Sequence, residues 1–324
     1  MPQIPYAKPY VSIIDQVALL RSRGMEITDQ TKAEECLRRI GYYRLSGYWY
    51  PMRQVTVTHG PAAAPVYQVQ DAFKEGARFC DVVDLYVFDK KLRMLMLDAI
   101  ERVEVALRVD VALALGLRGP TAHRDPRELH PNFAVRPNKR GQVPHLEWMA
   151  RLDDASRRSS EDFVKHFHAT YSTDLPIWVA IELWDFGMLS HLVGGLKYDD
   201  QTAMARRYGL PRGDVLASWV RSINFVRNVC AHHSRLWNRS IVDEPRWTRP
   251  GEVALLDHLA NLPKSRGRVY GVAASLQWLM RHVNPSSTWT ARLSAHMDSF
   301  PVSPLLNREA TGFPGNWSNE ALWQ

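Results

Sequence analysis

The chain has 324 residues and only three cysteines, Cys36, Cys80 and Cys230. They are odd in number, far apart and form no CxxC pair, so neither a disulfide framework nor a cysteine-built zinc site is expected. A reducing cytoplasm fits that usage. No stretch approaches the ~18 consecutive apolar residues of a membrane span. The opening Met1-Pro2-Gln3-Ile4-Pro5 lacks a basic segment followed by an apolar run, so no signal peptide is expected. There is no GxxxxGK[ST], no GxGxxG, no HExxH and no internal repeat. No carboxylate cluster of the kind used by two-metal nucleases is visible.

What is present describes an ordinary globular chain with a basic bias. The hydrophobic content is 45%, and the length suffices for one large or two modest cores. Net charge is +7 and the pI about 9.4. This favours a polyanionic partner, nucleic acid before a membrane surface.

Periodicity and breakers predict a mainly α-helical protein with three regions: 1–75, 76–245 and 246–324. Residues 1–10 are Pro-rich and expected to be extended. Short helices start at Ser12 or Asp15 and at Asp29 or Thr31, the first ending at Gly24. The pair allows a DNA-binding helix-turn-helix, although two packed helices are the plainer reading. The string Tyr42-Tyr43-Arg44-Leu45-Ser46-Gly47-Tyr48-Trp49-Tyr50 could stack on RNA bases or form an aromatic cluster in a core. Gln54–Gln70 alternates enough for a small hairpin around Gly60-Pro61. From Asp81 to Leu117 no Pro interrupts, which predicts one long helix or two with a bend. Its polar row Asp98, Glu101, Glu104, Arg108 is either a solvated face with a Glu104–Arg108 pair or a set that faces a second helix. Gly119–Pro144 reads as a long loop, and Arg124, Lys139 and Arg140 in it could contact an RNA backbone. His123, Asp125 and His130 match no familiar metal spacing, so no metal site is expected. Further helices are expected over 145–171, from Pro176 to Gly194, over 199–208, from Asp214 onward, and at about 252–261 and 268–283.

One stretch carries chemistry. Ser222–Arg239 has no Gly or Pro, so an unbroken helix is predicted. Val226, Val229, Cys230 and Trp237 can face a core. Asn224, Asn228 and His232 fall on one face at spacings of four, and Arg235 and Arg239 extend the row. Arg227 and His232 are five apart. Arg-x4-His occurs three times in the chain, at Arg118, Arg140 and Arg227, but Gly and Pro break the first two. Arg offers phosphate a planar, permanently charged fork, and His exchanges protons near neutral pH. The pair suits phosphoryl transfer without a metal or other cofactor.

Val226–Arg239 (VRNVCAHHSRLWNR) closely resembles the most characteristic motif of the Abi proteins of bacterial phage defence, of the AbiD/AbiF type. These fall in the HEPN superfamily of helical RNases. Ile40–Trp49, Leu85–Arg93 and Ile100–Arg108 resemble the same family, in the same order. The resemblance implies a HEPN-like helical bundle and metal-independent cleavage by the 2′-OH, which leaves a cyclic phosphate. It also implies a homodimer in which two motifs form one composite site. Under it, His232 moves the proton, Arg227 holds the phosphate and Asn228 orients His232 or bonds the phosphate. Glu101, Arg108, Asn224 and His233 support them, and Arg235 and Arg239 contact RNA or cap the helix. A growth-arresting RNase toxin needs restraint, so a small noncoding RNA or an antitoxin is an expected partner. The rival reading is a noncatalytic RNA-binding module that uses the same motif.

Overall fold

Helix dominates, as expected, and the only sheet among the described residues is one antiparallel hairpin. The computed structural model describes residues 5, 7, 9–59 and 65–324. The predicted extended segment over residues 1–10 and the turn at Gly60-Pro61 fall largely outside them. Among the described residues, no helix is long and apolar enough to cross a membrane.

The chain packs as two units, one of residues up to Leu92 with Ala295–Arg308, the other of Arg93–Ser294 with Glu309–Gln324. In the first, Ser12 caps α1 (Ile13–Ser22), its hydroxyl accepting the Asp15 N–H at 3.2 Å. Asp29 does the same for α2 (Gln30–Ile40) by accepting from Lys32. Each cap satisfies a donor that the first helical turn leaves orphaned. α3 (Tyr42–Trp49) carries part of the aromatic string into a core. Tyr48 and Trp49 are buried, and the Tyr48 hydroxyl donates to Asp89 at 2.7 Å. Tyr43, by contrast, is 92% exposed. Strands β1 (Arg53–His59) and β2 (Pro65–Phe73) pair Val55 with Val69 and Val57 with Tyr67.

The long helix α4 (Phe79–Gly116) runs 38 residues without a break. Its buried stripe includes Leu92, Met96, Ala99, Val103, Leu107 and Val111. Beyond it the 119–144 stretch is not one open loop. It folds into 3₁₀ turns at Ala122–Arg124 and Pro126–Glu128 and a one-turn helix, α5 (Pro131–Ala134). The helix expected over 145–171 is two, α6 (Pro144–Arg158) and α7 (Asp162–Thr170). Ser159 separates them, its hydroxyl accepting the Glu161 N–H in place of a helical carbonyl. The helix expected from Pro176 to Gly194 is also two, α8 (Ile177–Ala180) and α9 (Phe186–Gly195), because Asp185 caps α9 through the Met188 N–H at 2.8 Å. Then follow α10 (Tyr198–Arg207), α11 (Gly213–Ala231), α12 (Pro263–Arg266), α13 (Val269–Val283) and α14 (Trp289–Asp298). α11 packs on α9, α10 and α13, and nearly every residue of its first half is buried.

His123 is fully buried beside Trp148 and Trp184, and neither ring nitrogen has a hydrogen-bond partner among the described residues. Burial, helped by Arg124 and His145, lowers its pKa to about 3. The folded state therefore resists the proton that the unfolded chain accepts near pH 6.5. Stability from this group is complete above pH 6.5 and is lost as pH falls toward 3. Between about pH 7 and about pH 5 the loss is about 2 kcal/mol, at roughly 1.36 kcal/mol per unit. Urea unfolding at both pH values is expected to show this loss in the wild type. In His123→Leu, the difference between the two pH values is expected to shrink by that amount. An unchanged pH dependence would refute the assignment.

Candidate functional site

The motif helix is shorter than its sequence allows. α11 ends at Ala231, His232 is its C-cap, and His233 adopts a left-handed conformation with φ +55°. The His233 N–H bonds the Cys230 carbonyl at 3.0 Å, and the Ser234 N–H bonds the Val229 carbonyl at 2.9 Å. These two bonds make a Schellman motif, here closed by His rather than Gly. The unbroken helix expected over Ser222–Arg239 is thus corrected. Arg235 and Arg239 do not continue the Asn224–Asn228–His232 row. The reason is burial beyond the turn, where Leu236 and Trp237 are 0% and 1% exposed. Each such side chain contributes roughly 1.5–3 kcal/mol, which outweighs one left-handed residue at roughly 1–2 kcal/mol. The chain then runs back along α11. Trp219 Nε1 donates to the Arg246 carbonyl at 2.7 Å, and the Arg246 N–H donates to Ser218 at 2.6 Å.

This turn leaves the motif's polar groups at an open helix end. Asn228, His232 and His233 are exposed, and Arg227 is half-buried. At about 1.5 Å and 100° per residue, His232 lies ~7.5 Å along the axis from Arg227 and ~140° round it. Arg227 lines a groove of about 470 Å³ with Glu101, Glu104 and Asp98 of α4. Arg108 lies one turn beyond Glu104 and is tied three ways. It bonds Glu104 at 2.6 Å and the Trp184 carbonyl at 2.7 Å, and it pairs with Glu182 at 3.6 Å. The break between α8 and α9 frees that carbonyl. Burial pushes the Glu104 carboxyl above its usual range. The Arg108 and Arg227 guanidiniums oppose the shift, and Asp185 adds to it. Asn224 sits against the first turn of α9, its buried Oδ1 without a hydrogen-bond partner among the described residues.

A family model described as Abi-like protein matches residues 35–238, nearly two thirds of the chain. The chain belongs to the Abi-like family, the family of phage abortive-infection proteins. The match starts in α2 and ends just past the turn that buries Trp237. The helices after residue 238 lie outside it. No curated protein and no solved structure matches.

In this Abi-like chain several arginines of the motif's own unit are committed to carboxylates. Arg102 pairs with Asp98 at 2.9 Å, Arg118 with Asp200 at 2.8 Å and Arg151 with Asp185 at 2.8 Å. Arg124, expected on RNA, is held instead by Asp153 at 2.9 Å and Asp174 at 3.2 Å. A guanidinium held by two carboxylates is already neutralised and braces its own loop. Lys139 and Arg140 do sit on an exposed turn. Arg239 donates Nε to the Arg235 carbonyl at 2.9 Å and so braces the turn after α11. Arg227 differs from these, because it makes no ion pair among the described residues, only a long contact to Asn228 Oδ1 at 3.5 Å. The imidazole of His232 likewise has no hydrogen-bond partner among them. His123, Asp125 and His130 do not converge, since His123 is buried against tryptophans and His130 packs edge-on against Tyr198. Sequence reasoning passes over Glu104 and Asp185 as site residues. Glu104 stands in the polar row of α4, but nothing in the sequence says that burial would raise its pKa or that Arg227 would approach it.

Proposed function

We propose that this Abi-like protein is a HEPN-type endoribonuclease that cleaves RNA without a metal ion. The observation that carries this reading is Arg227, without an ion pair among the described residues, five residues from an exposed His232 whose ring has no hydrogen-bond partner among them. A guanidinium near carboxylates that does not close on them keeps its charge for a phosphate. An exposed imidazole at a helix end can reach a substrate hydroxyl.

In the proposed reaction the ribose 2′-oxygen attacks the adjacent phosphorus. The P–O5′ bond breaks, and the products are a 2′,3′-cyclic phosphate and a free 5′-hydroxyl. His232 handles the proton that leaves the 2′-OH or reaches the 5′-oxygen. Arg227 neutralises the phosphate, and Asn228 bonds it or orients His232. Glu104, held by Arg108, sets the field around Arg227, and Glu101 borders the same groove. One imidazole cannot be base and acid at once, so a homodimer with two facing motifs supplies the second. Such an RNase toxin needs a restraint, a small noncoding RNA or an antitoxin protein.

The test is incubation of purified protein with RNA, with and without EDTA, and mapping of the product ends. Cleavage that survives EDTA and leaves cyclic phosphate supports the reading. Tight RNA binding without cleavage would move the protein to the noncatalytic class.

A further inference from the structure

A second pocket, of about 550 Å³, lies where α9, α10 and the middle of α11 meet, and its lining includes Arg221, His191, Ser190, Tyr198 and His130. None of these residues belongs to the motif. Arg221 is exposed and makes no ion pair or hydrogen bond among the described residues. Its Nη1 lies over Gly194, 3.7 Å from where a side chain on that glycine would begin. Ser190 is 1% exposed, and its hydroxyl has no partner among the described residues. A buried hydroxyl left unpaired is costly unless something meets it. Burial, then the nearby charge of Arg151 and Arg221, lowers the His191 pKa despite the opposing carboxylates of Asp185 and Glu147. Arg246 also borders the pocket, but Asp214 holds it at 3.3 Å. In the same lining, Tyr198 is 66% exposed and stacks edge-on against His130 with ring centroids 4.5 Å apart. That leaves an aromatic face open to solvent.

A guanidinium without an ion pair among the described residues and an exposed aromatic face in one pocket match the two halves of a nucleotide. We propose that this pocket is a subsite for one nucleotide of single-stranded RNA. Its phosphate meets Arg221 and its base stacks on Tyr198. Stacking on an aromatic side chain beside a backbone-binding cation is how single strands are held without sequence preference. Arg221 lies six residues before Arg227, ~9 Å back along α11 and about a third of a turn round it. The subsite thus rests on the RNA reading and adds where the substrate is held away from the scissile bond.

Binding of a fluorescent 2′-O-methyl RNA of about ten nucleotides, which has no 2′-OH to attack, tests the subsite apart from cleavage. Wild type, Arg221→Ala, Tyr198→Ala and His232→Ala would be compared by anisotropy across a salt series. Tyr198→Ala is expected to weaken binding about tenfold. Arg221→Ala should weaken it and reduce the salt dependence by roughly the slope of one phosphate contact. Both variants should keep the wild-type unfolding midpoint, since neither side chain is buried. Affinity and salt slope unchanged in both variants, or no binding by wild type at low salt, would overturn the proposal. Failure of the nuclease reading looks different: unmodified RNA stays intact with wild type, while the two pocket variants still lose affinity for the modified strand.

Discussion

Alanine in place of His232 is expected to lower RNA cleavage by about 10²–10⁴-fold, the usual contribution of a positioned proton-transfer group. The fold should not change. The structural contribution of His232 is its backbone, whose N–H bonds the Asn228 carbonyl at 3.0 Å, and alanine keeps that bond. The side chain is exposed, so no cavity is left behind. Arg227→Ala should be comparably damaging, because the half-buried guanidinium is the motif's only uncommitted cation beside the α4 carboxylates. Arg227→Lys separates charge from shape. It keeps a positive charge but not the planar fork, so partial activity is expected. Initial rates on an end-labelled RNA, with circular dichroism as the folding control, measure all three. Rates within about twofold of wild type for both alanine variants, far short of the loss a proton-transfer group causes, would leave the motif a structural seam and would favour the binding-module reading.

A large loss of stability is expected at Gly213, the first residue of α11. A Cβ there would lie 2.5 Å from Gln201 Cβ, 2.6 Å from the Gln201 carbonyl carbon and 2.8 Å from the Thr202 nitrogen. Two of those atoms are backbone of α10 and cannot rotate away. Gln201 itself is fixed, its Nε2 donating to the Gly194 carbonyl at 3.1 Å and the Leu196 carbonyl at 2.9 Å. Gly213→Ala must therefore push α10 and α11 apart. Overpacking of this kind costs about 3 kcal/mol, more than the roughly 1 kcal/mol that alanine returns over glycine in a helix. The urea midpoint should fall accordingly. Gly315→Ala is the control, since a Cβ there meets nothing within 4 Å. Equal midpoints for the two variants would mean that the close approach of α10 and α11 is not held in solution.

Much of the frame is legible from neighbouring residues alone. The absence of Pro from Asp81 to Leu117 matches the single helix α4. Ser12 and Asp29, each one of two expected starts, cap the first two helices. Those features are local, settled by residues within a few positions of each other. The misplaced helix ends share one cause. Helices expected to continue at Ser159, Trp184 and His232 stop there, without a Gly or Pro to announce it. Each stop depends on a rival partner for the backbone, whether a serine hydroxyl, the Asp185 carboxylate or the pull of buried Leu236 and Trp237.

By itself, then, the sequence determined the helical class, the family and the residue types at the motif, because periodicity, caps and spacing are properties of neighbouring positions. Only the tertiary structure decided which charges are spent. It committed Arg108 to Glu104 and the Trp184 carbonyl, and Arg124 to two aspartates, while it left Arg227 and Arg221 without ion pairs among the described residues. The physical reason is that ion pairing depends on distance through space, and the partners here lie from four to 76 residues apart along the chain.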